Sequence, residues 1–182
     1  QIAVSSIVNA VSPDLILQSS YNYSADGIAV DLNILRNMGY ISGSVDVNWD
    51  KTALTLVRVD FNKDIVTDNN SVPIPEDGET DGNYRVSLGN FLAAYNNVDT
   101  GRAATLYFEK TAGYDETKTY DIDINNSDFV NYDVSQLSVE EIDCSVYPYD
   151  EGKMYISGET ARAYAGARNI RVPVKMLSNP GY

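Results

Sequence analysis

Ser42-Gly43-Ser44-Val45-Asp46-Val47-Asn48-Trp49 is the stretch on which the fold turns. In an extended chain Val45, Val47 and Trp49 fall on one side and Ser44, Asp46 and Asn48 on the other, because strand side chains alternate between faces. Such a strand buries one side and offers the other to water or to a partner.

The same period of two runs outward from this stretch in both directions. It predicts strands at 14–19, 27–35, 41–49, 54–61, 83–90, 103–110, 118–125 and 139–147, separated by clusters of Gly, Asn, Asp and Pro. Val86 and Leu88 turn inward with Arg85 and Ser87 outward. Ala104, Leu106 and Phe108 turn inward with Thr105, Tyr107 and Glu109 outward. The expected fold is all-β, a jelly-roll β-sandwich of about eight or nine strands. Residues 67–82 are too rich in Pro, Gly and Asp for a central strand and read as an exposed loop. A short helical turn is expected at Phe91–Tyr95, between Gly89-Asn90 and Asn96-Asn97.

Composition narrows the function classes. Among 182 residues there are 26 acidic and 13 basic side chains, a formal charge of −13, which repels phosphate backbones and anionic headgroups. Nucleic acid is excluded as a partner. Membrane insertion is excluded too, because no window approaches the roughly 20 consecutive apolar residues of a span. Cys144 is the one cysteine, so the fold stands on packing and not on an internal disulfide. The absence of His removes the commonest general base and metal ligand. With no distinctive carboxylate pair and no nucleophile elbow, nothing marks an enzyme, and no cofactor is expected. Asp77–Asn83 offers oxygen ligands in alternation but does not follow the EF-hand pattern, and it reads as a solvated loop.

The two ends of the chain repeat one another. Val30-Asp-Leu-Asn-Ile-Leu-Arg-Asn-Met-Gly-Tyr40 aligns with Val172-Pro-Val-Lys-Met-Leu-Ser-Asn-Pro-Gly-Tyr182, sharing Val, Leu, Asn, Gly and Tyr, and Ile28 aligns with Ile170. The offset, 172 against 30, is the length of one sandwich. Residues 1–150 are therefore expected to form one module, and residues 151–182 a linker and the first strands of a second, truncated copy.

The ordered segments resemble the cohesin family, the modules through which bacterial scaffoldins of cellulosome-type complexes hold enzymes. The pieces that carry the resemblance are Ile28–Leu35, Asn37-Met38-Gly39, Ser44–Trp49 with Asp50, Leu54-Thr55-Leu56, Val86–Asn90, Ala104–Lys110 and the closing 120–147. It implies an extracellular or cell-surface, secreted, non-catalytic module of a scaffold for polysaccharide degradation. Its partner would be a dockerin, a small helical module that itself carries Ca²⁺, and neighbouring cohesin-like modules are further candidates for contact. Carried over position by position, the partner-binding face would comprise Ser42, Ser44, Asp46, Arg85, Ser87, Asn90, Thr105, Tyr107, Asp121 and Asp123, with Tyr107 as the aromatic anchor. Where several cohesins have Asn and Asp on the recognition strand this chain has Ser42 and Ser44, so partner specificity does not carry over.

Two other classes stay open on the sequence alone. A carbohydrate-binding module would use Tyr21, Tyr23, Tyr95, Tyr114 and Tyr132 as stacking platforms. A structural fibre or adhesin sandwich would pair the strand around Ile170–Leu177 with the edge of a neighbouring chain.

Overall fold

The computed structural model describes residues 12–24, 27–67, 71–89 and 96–148, together with two further short strands at 155–158 and 174–178. In chain order the strands are β1 (Leu15–Ser24), β2 (Gly27–Asn37), β3 (Ser42–Trp49), β4 (Leu54–Phe61), β5 (Asn83–Gly89), β6 (Gly101–Lys110), β7 (Tyr120–Val130), β8 (Val139–Ile142), β9 (Cys144–Val146), β10 (Tyr155–Gly158) and β11 (Val174–Ser178). No helix occurs among the described residues, and the turn expected at Phe91–Tyr95 lies outside them.

The first nine strands make a sandwich of two sheets, ordered β4-β6-β2-β1-β8 and β5-β3-β7-β9. Pairing is antiparallel except where β8 runs parallel to β1. The alternation read from the sequence decides what each sheet turns inward. Leu17, Leu32, Ile34, Leu56, Leu106 and Phe108 from one sheet meet Val45, Val47, Trp49, Val86, Leu88 and Ile122 from the other. At about 25 cal/mol per Å² of buried apolar area, each such side chain contributes roughly 1.5–3 kcal/mol.

Two aromatic contacts tie the layers together. Trp49 meets Phe108 across the sheets with ring centroids 5.2 Å apart, and its indole N–H donates to the Leu54 carbonyl at 2.9 Å. Tyr40 stands edge-on to Phe129, also at 5.2 Å. Gly43 occupies an inward position of β3 because the Phe129 ring fills the space a side chain would need.

The segment expected as one closing strand, 139–147, is two strands in different sheets. β8 joins β1, then the chain crosses at Asp143 and β9 joins β7. Asp143 holds the crossing, its Oδ1 accepting from the backbone N–H of Ile124 at 2.7 Å. The loop at 71–82 also has a structural task. Glu79 exchanges backbone hydrogen bonds with Leu56, and the Ser71 hydroxyl accepts from Ser87 N, so the edge strands β4 and β5 are partly covered.

Candidate protein-binding face

The outward side of the four-stranded sheet is built from β3, β5, β7 and β9. Register sets its rows: Ser44 lies between Ser87 and Asp128, Asp46 between Arg85 and Asn125, and Asn48 between Asn83 and Asp123. Asp121 faces Ser145 on β9. The face is polar throughout. In these four strands Arg85 is the one basic residue, against Asp46, Asp121, Asp123 and Asp128.

Its centre is an ordered cluster. Asp46 accepts from Arg85 Nη1 at 2.7 Å through one oxygen and from Asn126 Nδ2 at 3.0 Å through the other. Asn126 reaches it because β7 bulges here: the register slips between Ser44 and Asp46, and Asn126 takes a left-handed φ of 52°, which Asn tolerates better than most residues. Asn83 Nδ2 donates to Asn48 Oδ1 at 2.7 Å, and Ser145 Oγ donates to Asp121 Oδ1 at 2.7 Å. Burial, with the Asp143 and Asp121 carboxylates beside it, pushes Asp123 above the usual carboxylate range. The arrangement suits recognition through hydrogen bonds and charge, by a partner that brings donors or cations.

Seven of the residues expected at the binding face come together here: Ser42, Ser44, Asp46, Arg85, Ser87, Asp121 and Asp123. Asn90 lies outside the described residues. Thr105 and Tyr107 do not join them, because β6 belongs to the five-stranded sheet. Thr105 is 4% exposed and donates to Asp31 Oδ1 at 2.6 Å, while Tyr107 lies under the Arg58 guanidinium, 4.0 Å from the ring centroid. The expected aromatic anchor therefore lies on the opposite sheet from the other seven. Alternation tells which side of its own sheet a residue faces; it does not tell which sheet the strand enters.

Asp128, Asn125 and Ser145 belong to the face and were not anticipated. A mark of the bulge was present in the sequence: Ile122 and Ile124 keep even positions inward, whereas the next large apolar residue, Phe129, is odd. One extra residue between them turns Asp128 outward.

The opposite sheet offers less. Gln18, Ser20, Ala29 and Thr105 stand on its outward side and are nevertheless buried. Of the tyrosines considered as sugar platforms, Tyr21, Tyr114 and Tyr132 are in three different settings. Tyr21 is 7% exposed within the core, and Tyr114 packs on Tyr120 at 4.8 Å beneath the Lys110 ammonium. Tyr132 is exposed, and Tyr95 lies outside the described residues.

The sixth cohesin of scaffoldin B from Acetivibrio cellulolyticus, solved in complex with a Cel5 dockerin, superposes with a TM-score of 0.61 at 14% identity, covering 74% of this chain and 99% of that one. The chain has the cohesin fold. A second cohesin, from an OlpC–dockerin complex of Clostridium thermocellum described as type I, gives a TM-score of 0.56 at 16% identity over 75% of this chain and 95% of that one. A non-cellulosomal cohesin from the archaeon Archaeoglobus fulgidus gives 0.52 at 10% identity, over 74% and 89%. No family model matches the sequence, and no curated protein does. The span shared with cohesins is about the length of the nine-strand sandwich.

Proposed function

We propose that this chain is a non-catalytic interaction module that binds a dockerin-bearing protein through the outward face of its four-stranded sheet, as part of an extracellular or cell-surface scaffold. The observation that carries the reading is a cohesin fold with one sheet face that is open and polar and gathers seven of the expected positions, set against an opposite sheet on which Gln18, Ser20, Ala29 and Thr105 face outward and are buried. Cohesins of this fold have been solved holding dockerins. The archaeal neighbour described as non-cellulosomal shows that the fold alone does not fix the setting. No helix among the described residues is long and apolar enough to cross a membrane. Among the described side chains, Tyr21 is spent on the core and Tyr114 on Tyr120 and Lys110, which lends the carbohydrate-binding reading no support.

Calorimetry of the chain against a panel of dockerins, with and without Ca²⁺, tests the proposal. Ser44 stands at the middle of the face, so Ser44→Arg is expected to weaken binding about 100-fold, whereas Tyr107→Ala on the far side leaves it unchanged. Loss in Tyr107→Ala with normal binding by Ser44→Arg would move the site to the other sheet. Binding of cello- or xylo-oligosaccharides with no dockerin response would replace the proposal with a sugar-binding module.

A further inference from the structure

The hairpin formed by β10 and β11 repeats the pairing of β1 and β2 rung by rung. In the first hairpin Ile16 pairs with Arg36, the register then slips, and Leu17, Gln18 and Ser19 pair with Ile34, Asn33 and Leu32. In the second, Tyr155 pairs with Ser178, the register slips at the same step, and Ile156, Ser157 and Gly158 pair with Met176, Lys175 and Val174. Every β11 residue stands 142 positions after its β2 counterpart and every β10 residue 139 after its β1 counterpart. The three extra residues fall in the connection between the strands.

The side-chain types follow the register. Leu17, Leu32 and Ile34 are core residues of the sandwich, and Ile156, Val174 and Met176 occupy their positions. Gln18 and Asn33 are matched by Ser157 and Lys175. Just beyond β2, the shared Asn, Gly and Tyr are the residues that make its exit turn. Asn37 Oδ1 accepts from Gly39 N at 2.9 Å, Gly39 has a φ of +116° that favours glycine, and Tyr40 is buried. Asn179, Gly181 and Tyr182 repeat them in sequence.

We infer that residues 151–182 contain the opening hairpin of a second module on the same plan, so that the chain is built on a repeat of about 140 residues with one partner-binding face per unit. A bulge placed at the same rung, with the same apolar and polar positions around it, is specified by sequence. A two-stranded hairpin by itself is marginal in water, so this one is shaped to join a sheet. Its equivalence to β1–β2 stands on register and sequence; only the meaning of the repeat as a second binding face rests on the dockerin reading.

The test moves the second hairpin's residues into the first within the full chain: Ile16→Tyr, Leu17→Ile, Gln18→Ser, Ser19→Gly, Leu32→Val, Asn33→Lys, Ile34→Met and Arg36→Ser. An equivalent hairpin gives a protein with native near-UV circular dichroism and one cooperative transition within about 10 °C of the parent. A companion variant shifts the β11 residues by one position, Leu32→Lys, Asn33→Met, Ile34→Leu, Leu35→Ser and Arg36→Asn. This puts a charge in the core and is expected to abolish the transition. A third variant carrying only the four β2 substitutions separates a failure of β11 from one of β10. Loss of cooperative folding in that four-substitution variant, or equal stability of the shifted one, would overturn the inference. The readout is folding, so it stands or falls separately from dockerin binding.

Discussion

Val134 is a β-branched residue at a φ of +60°, 78% exposed, in the turn where its own N–H donates to the Asn131 carbonyl at 2.9 Å. The left-handed region costs an L residue with a branched Cβ roughly 1–2 kcal/mol, and an exposed side chain recovers little of that through packing. Asn tolerates the conformation far better. Val134→Asn is expected to stabilise the module by about 0.5–1 kcal/mol and raise the melting temperature by a few degrees in calorimetry. An unchanged or lower transition would mean that Val134 makes a compensating contact. At the same scale the sequence was read well wherever the answer depended on alternation alone: Val45, Val47 and Trp49 point inward and Ser44, Asp46 and Asn48 outward, as their spacing requires. Thr105 keeps the outward position its spacing requires but is buried and bonded to Asp31 on β2, information its own strand does not carry.

At the scale of elements the closing segment is the instructive case. Its period of two predicted one strand, yet Asp143 interrupts it and sends β8 and β9 into different sheets. The physical reason is long-range: β1 leaves an edge free for parallel pairing and β7 leaves one for antiparallel pairing, and a single polar residue suffices to cross between them. That crossing makes a prediction. Asp143→Ala leaves the Ile124 N–H without its acceptor and is expected to cost about 1–3 kcal/mol in urea unfolding, with faster hydrogen exchange at Ile124. Asp143→Asn keeps an accepting oxygen and is expected to stay close to the parent. Equal losses in both would show that the carboxylate's charge, and not the hydrogen bond, holds the crossing. The bulge in β7 teaches the same lesson. Its sign was present in the parity of Phe129, but the partner strand that turns it into a cluster is β3, whose Asp46 lies 80 residues before Asn126.

For the molecule as a whole, charge is unevenly distributed: 24 acidic and 8 basic residues lie in 1–150, against 2 and 5 in 151–182. The sandwich therefore carries nearly all the self-repulsion, and its carboxylates fall into two groups with opposite effects on stability. Asp14, Asp50 and Asp115 are held below the usual carboxylate value by hydrogen bonds from Ser138, Thr52 and Thr117. Their ionised forms favour the folded state, so the stability they add is present above about pH 4 and is lost as pH falls through their folded pKa values. Asp123 is raised, by burial first and then by Asp143 and Asp121, so the folded state prefers it protonated. Its contribution runs the other way: stability declines as pH rises from the ordinary carboxylate value through its folded pKa. Together these signs give an acid limb, where the contribution of the first group is lost as pH falls below about 4, and an opposing limb above that value, to which Asp123 contributes. Melting temperatures measured from pH 3 to 8 check the shape, and Asp123→Asn is expected to flatten the limb on the high-pH side while leaving the acid limb in place. A parent protein whose stability keeps rising to pH 7 would mean that the repulsion around Asp123 is relieved in solution, and that this corner of the face is less crowded with negative charge than its geometry indicates.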